Sequence, residues 1–331
     1  MSRLHYDETM PTIAAVATAF HPDERLTAVV EAALKSCTRV VVVDNTPGDG
    51  PFLADTLRDR DGVTVLRDGK NRGLAGALNT GVDTLLAGGT GADGGTGGTG
   101  GTGKDGEDGE DGETAEAGQP DLLLFLDQDS VLTEDLVQGL AQHLTDPTVG
   151  IAAPAAWDEQ QGRYYEPGTE NGPDVAERDV VITSGMLVRR EVLTEVGRFR
   201  TEFFVDHVDN DFCLRVRAAG YRVLRDKRQK LAHSLGQRSQ HKVGGVALAS
   251  SRHPTWRLYW IARNGTVLIR EHRKDAPVWS RNTAAYLVWW FGLRTAIEAP
   301  RGPRAMAMLR GFRDGFRGRT SRRYLPPGAE L

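Results

Sequence analysis

Short apolar runs alternate along this chain with segments in which apolar residues recur every three or four positions. Residues 13–18, 40–43, 63–66 and 122–126 are almost wholly apolar or β-branched, a pattern that predicts strands buried on both faces. Residues 24–36 and 74–86 carry apolar side chains at helical spacing. This order predicts an α/β fold with a Rossmann-like, mixed but mostly parallel sheet flanked by helices on both faces.

The second half of the chain continues the same pattern less regularly. We predict helices that begin at Thr133 and at Arg190, and a further helix over residues 212–219. Strands are predicted at residues 149–154, 180–183 and 222–224, and a long polar loop over residues 157–179.

Residues 88–118 interrupt the pattern. They are rich in Gly and Thr, contain eight acidic residues and one lysine, and have almost no apolar side chains. Such a segment buries too little surface to offset its ordering entropy, so we predict a disordered surface insertion. Without it the formal net charge changes from −4 to +3, which is compatible with an anionic substrate. We expect a catalytic domain over residues 11–250 and a helical, basic extension over residues 251–331.

The composition excludes several classes of protein. Cys37 and Cys213 are the two cysteines, which makes a disulfide framework or a zinc site a poor interpretation. We see no leader peptide and no apolar run of membrane-spanning length, so the expected compartment is the cytoplasm.

Polar residues follow three of the predicted strands. Thr18 and Ala19 end the first, Asp44 ends the second, and Asp127 and Asp129 follow the central one. Because parallel strands end at one edge of a sheet, a single ligand could touch all of them. Asp44 could bind a nucleotide base, and Asp129 a Mg²⁺ or Mn²⁺ ion that carries phosphates. An Asx turn at Asp44 remains an equal alternative.

The same ligand could reach the loop at residues 70–73. There Asn71 could contact a ribose or a phosphate, but a loop that merely leads into the following helix is equally compatible with the sequence. The recurrence of such polar positions after several strands favours a binding site.

A second acidic cluster lies further along the chain. Asp206, Asp209 and Asp211 fall within six residues, and such crowding raises the pKa of at least one carboxylate. Asp209 is the better candidate for a general base, because Asp211 is spaced to pair with Arg215 on a helix. Asp206 could bind an acceptor hydroxyl. His233 becomes a metal-ligand candidate only if its loop returns to the first site.

The chain resembles family 2 glycosyltransferases with the nucleotide-diphosphosugar (GT-A) fold, and among them the rhamnosyltransferases. The matching motifs lie in the family's order: Thr18-Ala19-Phe20, Val42-Val43-Asp44-Asn45, Lys70-Asn71-Arg72-Gly73, Phe125-Leu126-Asp127-Gln128-Asp129-Ser130, Thr183-Ser184-Gly185, Val208-Asp209-Asn210-Asp211, His233, and Leu258-Tyr259-Trp260-Ile261-Ala262-Arg263-Asn264. The chain departs from many members at Val208, where they carry an acid. It also departs at Gln128, which is familiar in the rhamnosyltransferase branch.

The resemblance implies inverting transfer of a deoxysugar, with L-rhamnose from dTDP-rhamnose as the first choice, to a cell-surface glycan or its lipid-linked precursor. It implies Asp209 as base and a Mn²⁺ or Mg²⁺ ion at Asp129 and His233. We assign the donor to Thr18, Ala19, Asp44, Asn71, Gly73, Asp127 and Gln128, and the acceptor to Asp206, Asp211, Ser184 and Gly185.

Two other functions fit part of the sequence. Residues 125–131 also match the first motif of haloacid-dehalogenase-like phosphatases, with Asp127 as nucleophile and residues 180–183 as the second motif. That interpretation provides no acidic pair after Lys227 or Lys230 and leaves the first 120 residues unexplained. A non-catalytic protein that binds sugar nucleotides is the other alternative.

The C-terminal segment combines cationic and apolar side chains. Residues 285–299 are strongly apolar, and residues 301–323 hold eight arginines against Asp314, interleaved with Met, Leu and Phe. This composition is typical of an amphipathic helix on an anionic membrane, which would place the protein at the inner face of the plasma membrane. Packing against the catalytic domain, or a homo-oligomer interface, is at least as compatible. No nucleic-acid-binding signature accompanies the arginines.

Overall fold

The computed structural model describes residues 11–87, 118–159, 161–232, 238–243, 246–251 and 253–331. Nearly all of the predicted insertion, and His233, lie outside these residues. Disorder of the insertion therefore stays a prediction, and so does the assignment of His233 as a metal ligand.

The first half alternates strands and helices as the apolar pattern predicts. The strands are β1 (Ile13–Ala19), β2 (Arg39–Asp44), β3 (Val63–Leu66) and β4 (Leu122–Asp127), and the helices are α1 (Arg25–Leu34) and α2 (Gly73–Leu86). These four strands are parallel, in the order β3-β2-β1-β4.

The second half completes a mixed sheet. Its helices are α3 (Leu136–Ala141), α4 (Arg190–Glu195) and α5 (Val208–Ala218). Its strands are β5 (Val149–Asp158), β6 (Arg163–Tyr164), β7 (Val175–Glu177), β8 (Met186–Arg189) and β9 (Arg222–Ala232), followed by the hairpin β10 (Arg238–Val243) and β11 (Val246–Ser251). The nine-stranded sheet continues from β4 through β8, β5 and β9 to β7, with β6 paired to β5. Strand β8 runs antiparallel to β4 and β5.

Three helices follow the hairpin and confirm the predicted helical extension: α6 (Thr255–His272), α7 (Pro277–Ile297) and α8 (Arg301–Arg317). Helix α8 lies directly on α6. A Cβ atom added at Gly311 would stand 2.5 Å from the Tyr259 carbonyl oxygen, so only glycine allows this approach.

The central strands are buried on both faces, as their composition predicts. In β4, Leu123 and Phe125 face the core beneath α2 and α5, while Leu122, Leu124 and Leu126 face the core beneath α1 and α3. This alternation follows from the two-residue period of a strand. Because β1, β2 and β4 are parallel, their carboxyl ends lie at one edge of the sheet.

Several sequence predictions about elements were wrong. Residues 180–183 are not a strand: the strand is β8, which pairs with β4 through Leu187 and Leu124. Helix α3 begins at Leu136 instead of Thr133. The predicted loop at 157–179 contains the end of β5 and the short strands β6 and β7. For β6, β7 and β8, pairing across the sheet outweighed local composition.

Candidate functional site

The ends of three parallel strands lie side by side. Thr18 of β1 is level with Asp127 of β4, and Ala19 is level with Asp44 of β2. The Thr18 hydroxyl donates to the Leu126 carbonyl at 3.5 Å. The edge that the sequence predicted as a ligand site is therefore formed by adjacent strands.

Asp44 is a buried carboxylate at this edge, with 2% of its surface exposed. Its Oδ1 accepts a hydrogen bond from the Thr46 N–H at 2.9 Å, so the Asx turn also forms. Its Oδ2 lies 3.9 Å from Arg67 Nε and has no hydrogen-bond partner in the described part of the chain. The Arg67 guanidinium stacks on the Phe52 ring at 3.8 Å. A buried acceptor oxygen of this kind is costly unless a ligand supplies a donor.

The loop before α2 is held by its own side chains. Asn71 Oδ1 accepts from the Gly73 N–H at 2.9 Å, and Asn45 Nδ2 donates to the Gly73 carbonyl at 2.8 Å. The Asn71 backbone pairs with the C-terminal segment, through Gly328 and Glu330. Asn71 and Gly73 thus shape the loop that leads into α2, which is compatible with the alternative given in the sequence analysis.

The loop after β4 carries Asp127, Gln128 and Asp129, all partly exposed. Gln128 Oε1 accepts from the Phe20 N–H at 2.7 Å, which ties this loop to the end of β1. Asp129 lies 3.3 Å from an Arg25 nitrogen. Within the described ranges, no three His, Cys, Asp or Glu side chains gather closely enough to hold a metal alone.

Ser184 and Gly185 lie beneath this loop rather than on the surface. The Ser184 hydroxyl is hydrogen-bonded to that of Ser130, and only 1% of Ser184 is exposed. The Gly185 N–H donates to the Phe125 carbonyl at 2.8 Å. Both residues are buried and support the β4 loop, and their assignment to the acceptor stays a prediction.

Asp211 belongs to a buried ion-pair cluster. It is fully buried, 2.8 Å from Arg215 and 3.2 Å from Arg200. The predicted pair with Arg215 is confirmed. No part of the Asp211 side chain reaches solvent, and its assignment to the acceptor stays a prediction. Asp206 forms a two-pronged pair with Arg257 at 2.8–3.1 Å.

Asp209 lies in the first turn of α5, close enough to Asp127 and Asp206 to interact with both electrostatically. Burial is the main cause that raises its pKa to about 6; the neighbouring carboxylates of Asp206 and Asp127 contribute in the same direction, and a hydrogen bond from the Asn210 N–H opposes them. A carboxylate with such a pKa is largely ionised at neutral pH and still basic enough to accept a proton. The fold therefore brings Asp127, Asp206 and Asp209 into one electrostatic group.

The sequence interpretation missed several arginines at this edge. Arg67 faces Asp44, Arg25 faces Asp129, and Arg257 holds Asp206. Each acidic residue of the predicted site suggests a cationic partner. Sequence spacing does not show which of the many arginines is close to it in the fold.

The helical extension has one buried and one exposed face. Ala307, Met308 and Gly311 of α8 pack inward, whereas Met306, Leu309 and Phe316 are exposed. Trp289 and Val288 of α7 are exposed as well, although Trp290 is buried. Among the residues that the structure describes, no helix is both long and apolar enough to cross a bilayer.

Comparisons with known proteins agree with this geometry. No protein-family model matches the chain. The chain is similar to the dTDP-rhamnosyl transferase RfbF of Shigella flexneri, with 27% identity over 273 residues, which are 78% of this chain and 80% of that protein.

Solved structures share the fold at low sequence identity. GalNAc-T7, solved with UDP, GalNAc and Mn²⁺, is 14% identical with a TM-score of 0.53 over 96% of this chain and 56% of its own. Residues 1–349 of TarS from S. aureus are 12% identical with a TM-score of 0.55, over 92% of this chain and 80% of that one. This chain thus spans a little over half the length of GalNAc-T7.

The motifs, the sheet order and these similarities agree on one class of protein. The chain is similar to a protein named dTDP-rhamnosyl transferase and shares its fold with the two glycosyltransferase structures, in agreement with the resemblance found in the sequence.

Proposed function

We propose that this protein transfers L-rhamnose from dTDP-rhamnose to a hydroxyl of a cell-surface glycan or its lipid-linked precursor, with inversion at the anomeric carbon. The similarity to a protein named dTDP-rhamnosyl transferase supports the donor. The observation that carries the reaction is the convergence of Asp127, Asp206 and Asp209 beside the ends of β1, β2 and β4.

Asp44 is the proposed partner of the nucleotide base. Its Oδ2 is buried and lacks a hydrogen-bond partner within the described residues, so a base N–H would satisfy it. The Arg67 guanidinium beside it balances the buried charge. In this proposal the nucleotide base at Asp44 is surrounded by Thr18, Ala19, Asn71, Gly73 and Gln128.

Asp209 is the proposed general base. It accepts the proton of the acceptor hydroxyl while the hydroxyl oxygen attacks the anomeric carbon, and the bond to the diphosphate oxygen breaks with its electron pair on the diphosphate. Attack from the face opposite the leaving group inverts the configuration. Asp206 keeps its proposed place beside the acceptor, with its charge balanced by Arg257.

Mn²⁺ or Mg²⁺ is the proposed cofactor. Asp127 and Asp129 offer carboxylate oxygens, the donors that these hard cations prefer, and two carboxylates with substrate phosphates often suffice for them. The residues present fit such an ion when the diphosphate completes its coordination. The ion would neutralise charge on the departing diphosphate. The GalNAc-T7 structure contains Mn²⁺, which supports the same choice.

The proposed donor is tested by measuring nucleoside diphosphate release from a panel of sugar nucleotides, with a mixed glycan-lipid extract and Mn²⁺ or Mg²⁺. We expect dTDP-rhamnose to be turned over fastest and a chelator to reduce the rate by at least tenfold. Hydrolysis of organic phosphate monoesters instead, with release of inorganic phosphate, would favour the phosphatase alternative. Binding of the donor without any release would favour a non-catalytic protein.

The pKa of Asp209 predicts a pH dependence. Because the base must be ionised, kcat/KM should fall about tenfold per pH unit below about pH 6, the pKa that burial gives this carboxylate. The profile is measured at saturating metal with full-length protein. A rate that stays constant down to pH 5 would contradict a base with this pKa.

We also propose that the exposed face of α7 and α8 rests on an anionic membrane. Met306, Leu309 and Phe316 lie on one stripe of α8, with Arg313 and Arg317 exposed beside them. Apolar side chains flanked by cations complement the acyl and headgroup layers of anionic lipid. The same face would bring the active site near a lipid-linked acceptor.

Co-sedimentation with vesicles tests this surface. The protein should bind vesicles of anionic lipid at low salt and leave them at high salt, because surface electrostatics are screened within about 8–10 Å. Arg313→Gln with Arg317→Gln should weaken binding roughly tenfold or more, at about 1 kcal/mol per arginine. Arg58→Gln with Arg60→Gln, two exposed arginines outside this face, is the matched control. Equal binding to neutral vesicles, or none to either, would refute the surface.

A further inference from the structure

Asn264 of α6 is buried, and its side-chain NH2 group contacts a single stretch of backbone. It has no exposed surface, and its Nδ2 lies 2.8 Å from the Phe203 carbonyl oxygen, 2.9 Å from that of Val205 and 2.9 Å from that of Asp206. Asn264 is the last residue of the motif at residues 258–264, and the sequence alone does not indicate its role. Its contacts connect that motif to the acidic cluster.

The stretch that Asn264 holds is strained. Phe204, Asp206 and His207 have φ angles of 53°, 60° and 61°, in the left-handed region that residues other than glycine avoid. The Val205 N–H folds back onto the Phe203 carbonyl at 2.5 Å. Such a conformation is costly and persists only where the surroundings enforce it.

Further contacts from α6 enforce the same conformation. Arg257 pairs with the Asp206 carboxylate, and Arg263 donates to the Glu202 carbonyl at 3.2 Å. The His207 ring is hydrogen-bonded to the backbone of Ile261 and lies 3.0 Å from Asn210 Nδ2. Helix α6 is thus one wall of the strained segment.

The opposite wall is the loop proposed to bind the donor. The Leu74 N–H donates to the Phe204 carbonyl at 2.7 Å, and a Cβ atom at Gly73 would collide with that carbonyl. The strained segment therefore lies between the donor loop and α6. It runs directly into α5, whose first turn carries Asp209.

We propose that Asn264 is a positioning residue for sugar transfer: its amide fixes the turn at residues 203–207 and thereby sets where Asp209 meets the acceptor hydroxyl. This inference rests on the proposed role of Asp209 as base. It gives the helical extension a part in catalysis, because α6 supplies the hydrogen bonds that the catalytic segment cannot make for itself.

The test compares Asn264→Ala with a matched variant, Asn79→Ala. Asn79 also bridges backbone, with Nδ2 2.8 Å from the Phe199 carbonyl and Oδ1 3.0 Å from the Phe199 N–H, but upstream of the strained turn. Both variants should melt at lower temperature. Asn264→Ala should lose roughly 10–100-fold in kcat, since a small misplacement of a reacting group is costly, while its affinity for dTDP changes less than about twofold. Asn79→Ala should keep kcat within about threefold.

A second variant keeps the test informative if the alanine variant folds poorly. Asn264→Ser retains one short donor and should give an intermediate kcat with unchanged dTDP affinity. Asn264 variants that are folded by circular dichroism and turn over like Asn79→Ala would overturn the positioning role.

A double-variant cycle separates this inference from the proposed function. If Asn264 acts through Asp209, adding Asn264→Ala to Asp209→Asn should change the residual rate less than about twofold, because residues that act as a unit are non-additive. A full multiplicative loss would mean that Asn264 acts elsewhere. If Asp209→Asn alone retained wild-type transfer, the proposed base would be wrong. If it were inactive while Asn264→Ala turned over normally, only the positioning role would fail.

Discussion

Replacing Asp209 by asparagine is expected to abolish sugar transfer while leaving nucleotide binding intact. The substitution removes the proposed base and keeps the size of the side chain, so kcat should fall by roughly 10²–10⁴-fold or more. The affinity for dTDP, measured by calorimetry, should change little because Asp44 and the β1 and β4 loops are unaltered. Normal turnover by this variant would transfer the role of base to Asp206.

The same variant should be more stable than the wild type at neutral pH. Burial raises the folded-state pKa of Asp209 from 3.8 to about 6, so the folded chain binds this proton more tightly than the unfolded chain. That contribution favours folding at low pH and is lost as the pH rises from about 4 to 6. Asparagine removes the cost of the buried charge, which we expect to be about 1–2 kcal/mol because Asp209 is only partly buried.

Denaturant unfolding at pH 7 and at pH 4 measures this gain, which should shrink at the lower pH. Asp59→Asn, a change of the same type at an exposed position, is the control and should have little effect at either pH. A variant that is less stable than the wild type at pH 7 would contradict the raised pKa.

Separating α8 from α6 is expected to have the largest effect on stability. In Gly311→Val the side chain would meet the Tyr259 carbonyl oxygen at 2.5 Å and the Ala262 Cβ at 2.9 Å, so the helices must move apart. Overpacking against backbone cannot be relieved by a rotamer change, and we expect a loss of about 2–4 kcal/mol in the free energy of unfolding.

Gly302→Ala on the same helix is the matched control. An added Cβ atom there has nothing within 4 Å, so stability should stay the same or rise slightly. Equal melting temperatures for Gly311→Val and the wild type would show that α8 does not rest on α6 in solution.

The central sheet could be predicted from the sequence because its signal is local. Leu122 to Leu126 are apolar on both faces, and the strand ends where Asp127 begins the polar loop. The same reasoning correctly placed Asp44 and Thr18 at the shared edge, since parallel strands end together. It failed at residues 180–183, where β-branched side chains suggested a strand, although β8 is the segment that pairs with β4.

The supports of the site could not be predicted in the same way. Asn264 binds the backbone of residues about 60 positions earlier, and no local pattern encodes such a pairing. Strand β9 also extends well beyond the predicted residues 222–224. The sequence did not predict this extension because it contains charged residues, among them the buried Arg225 and Asp226. Composition predicts that such residues are solvent-exposed, whereas the fold buries Arg225 in an ion pair with Glu166 and Asp226 in a hydrogen bond with His143.

The configuration of the new glycosidic bond tests the central claim most directly. The full-length protein is incubated with dTDP-rhamnose, a divalent cation and the acceptor identified from the extract, and the product is analysed by mass spectrometry and NMR. We predict one added deoxyhexose with inverted anomeric configuration, absent with Asp209→Asn. Retention of configuration, or release of free sugar without a glycosylated product, would contradict the mechanism built on Asp209.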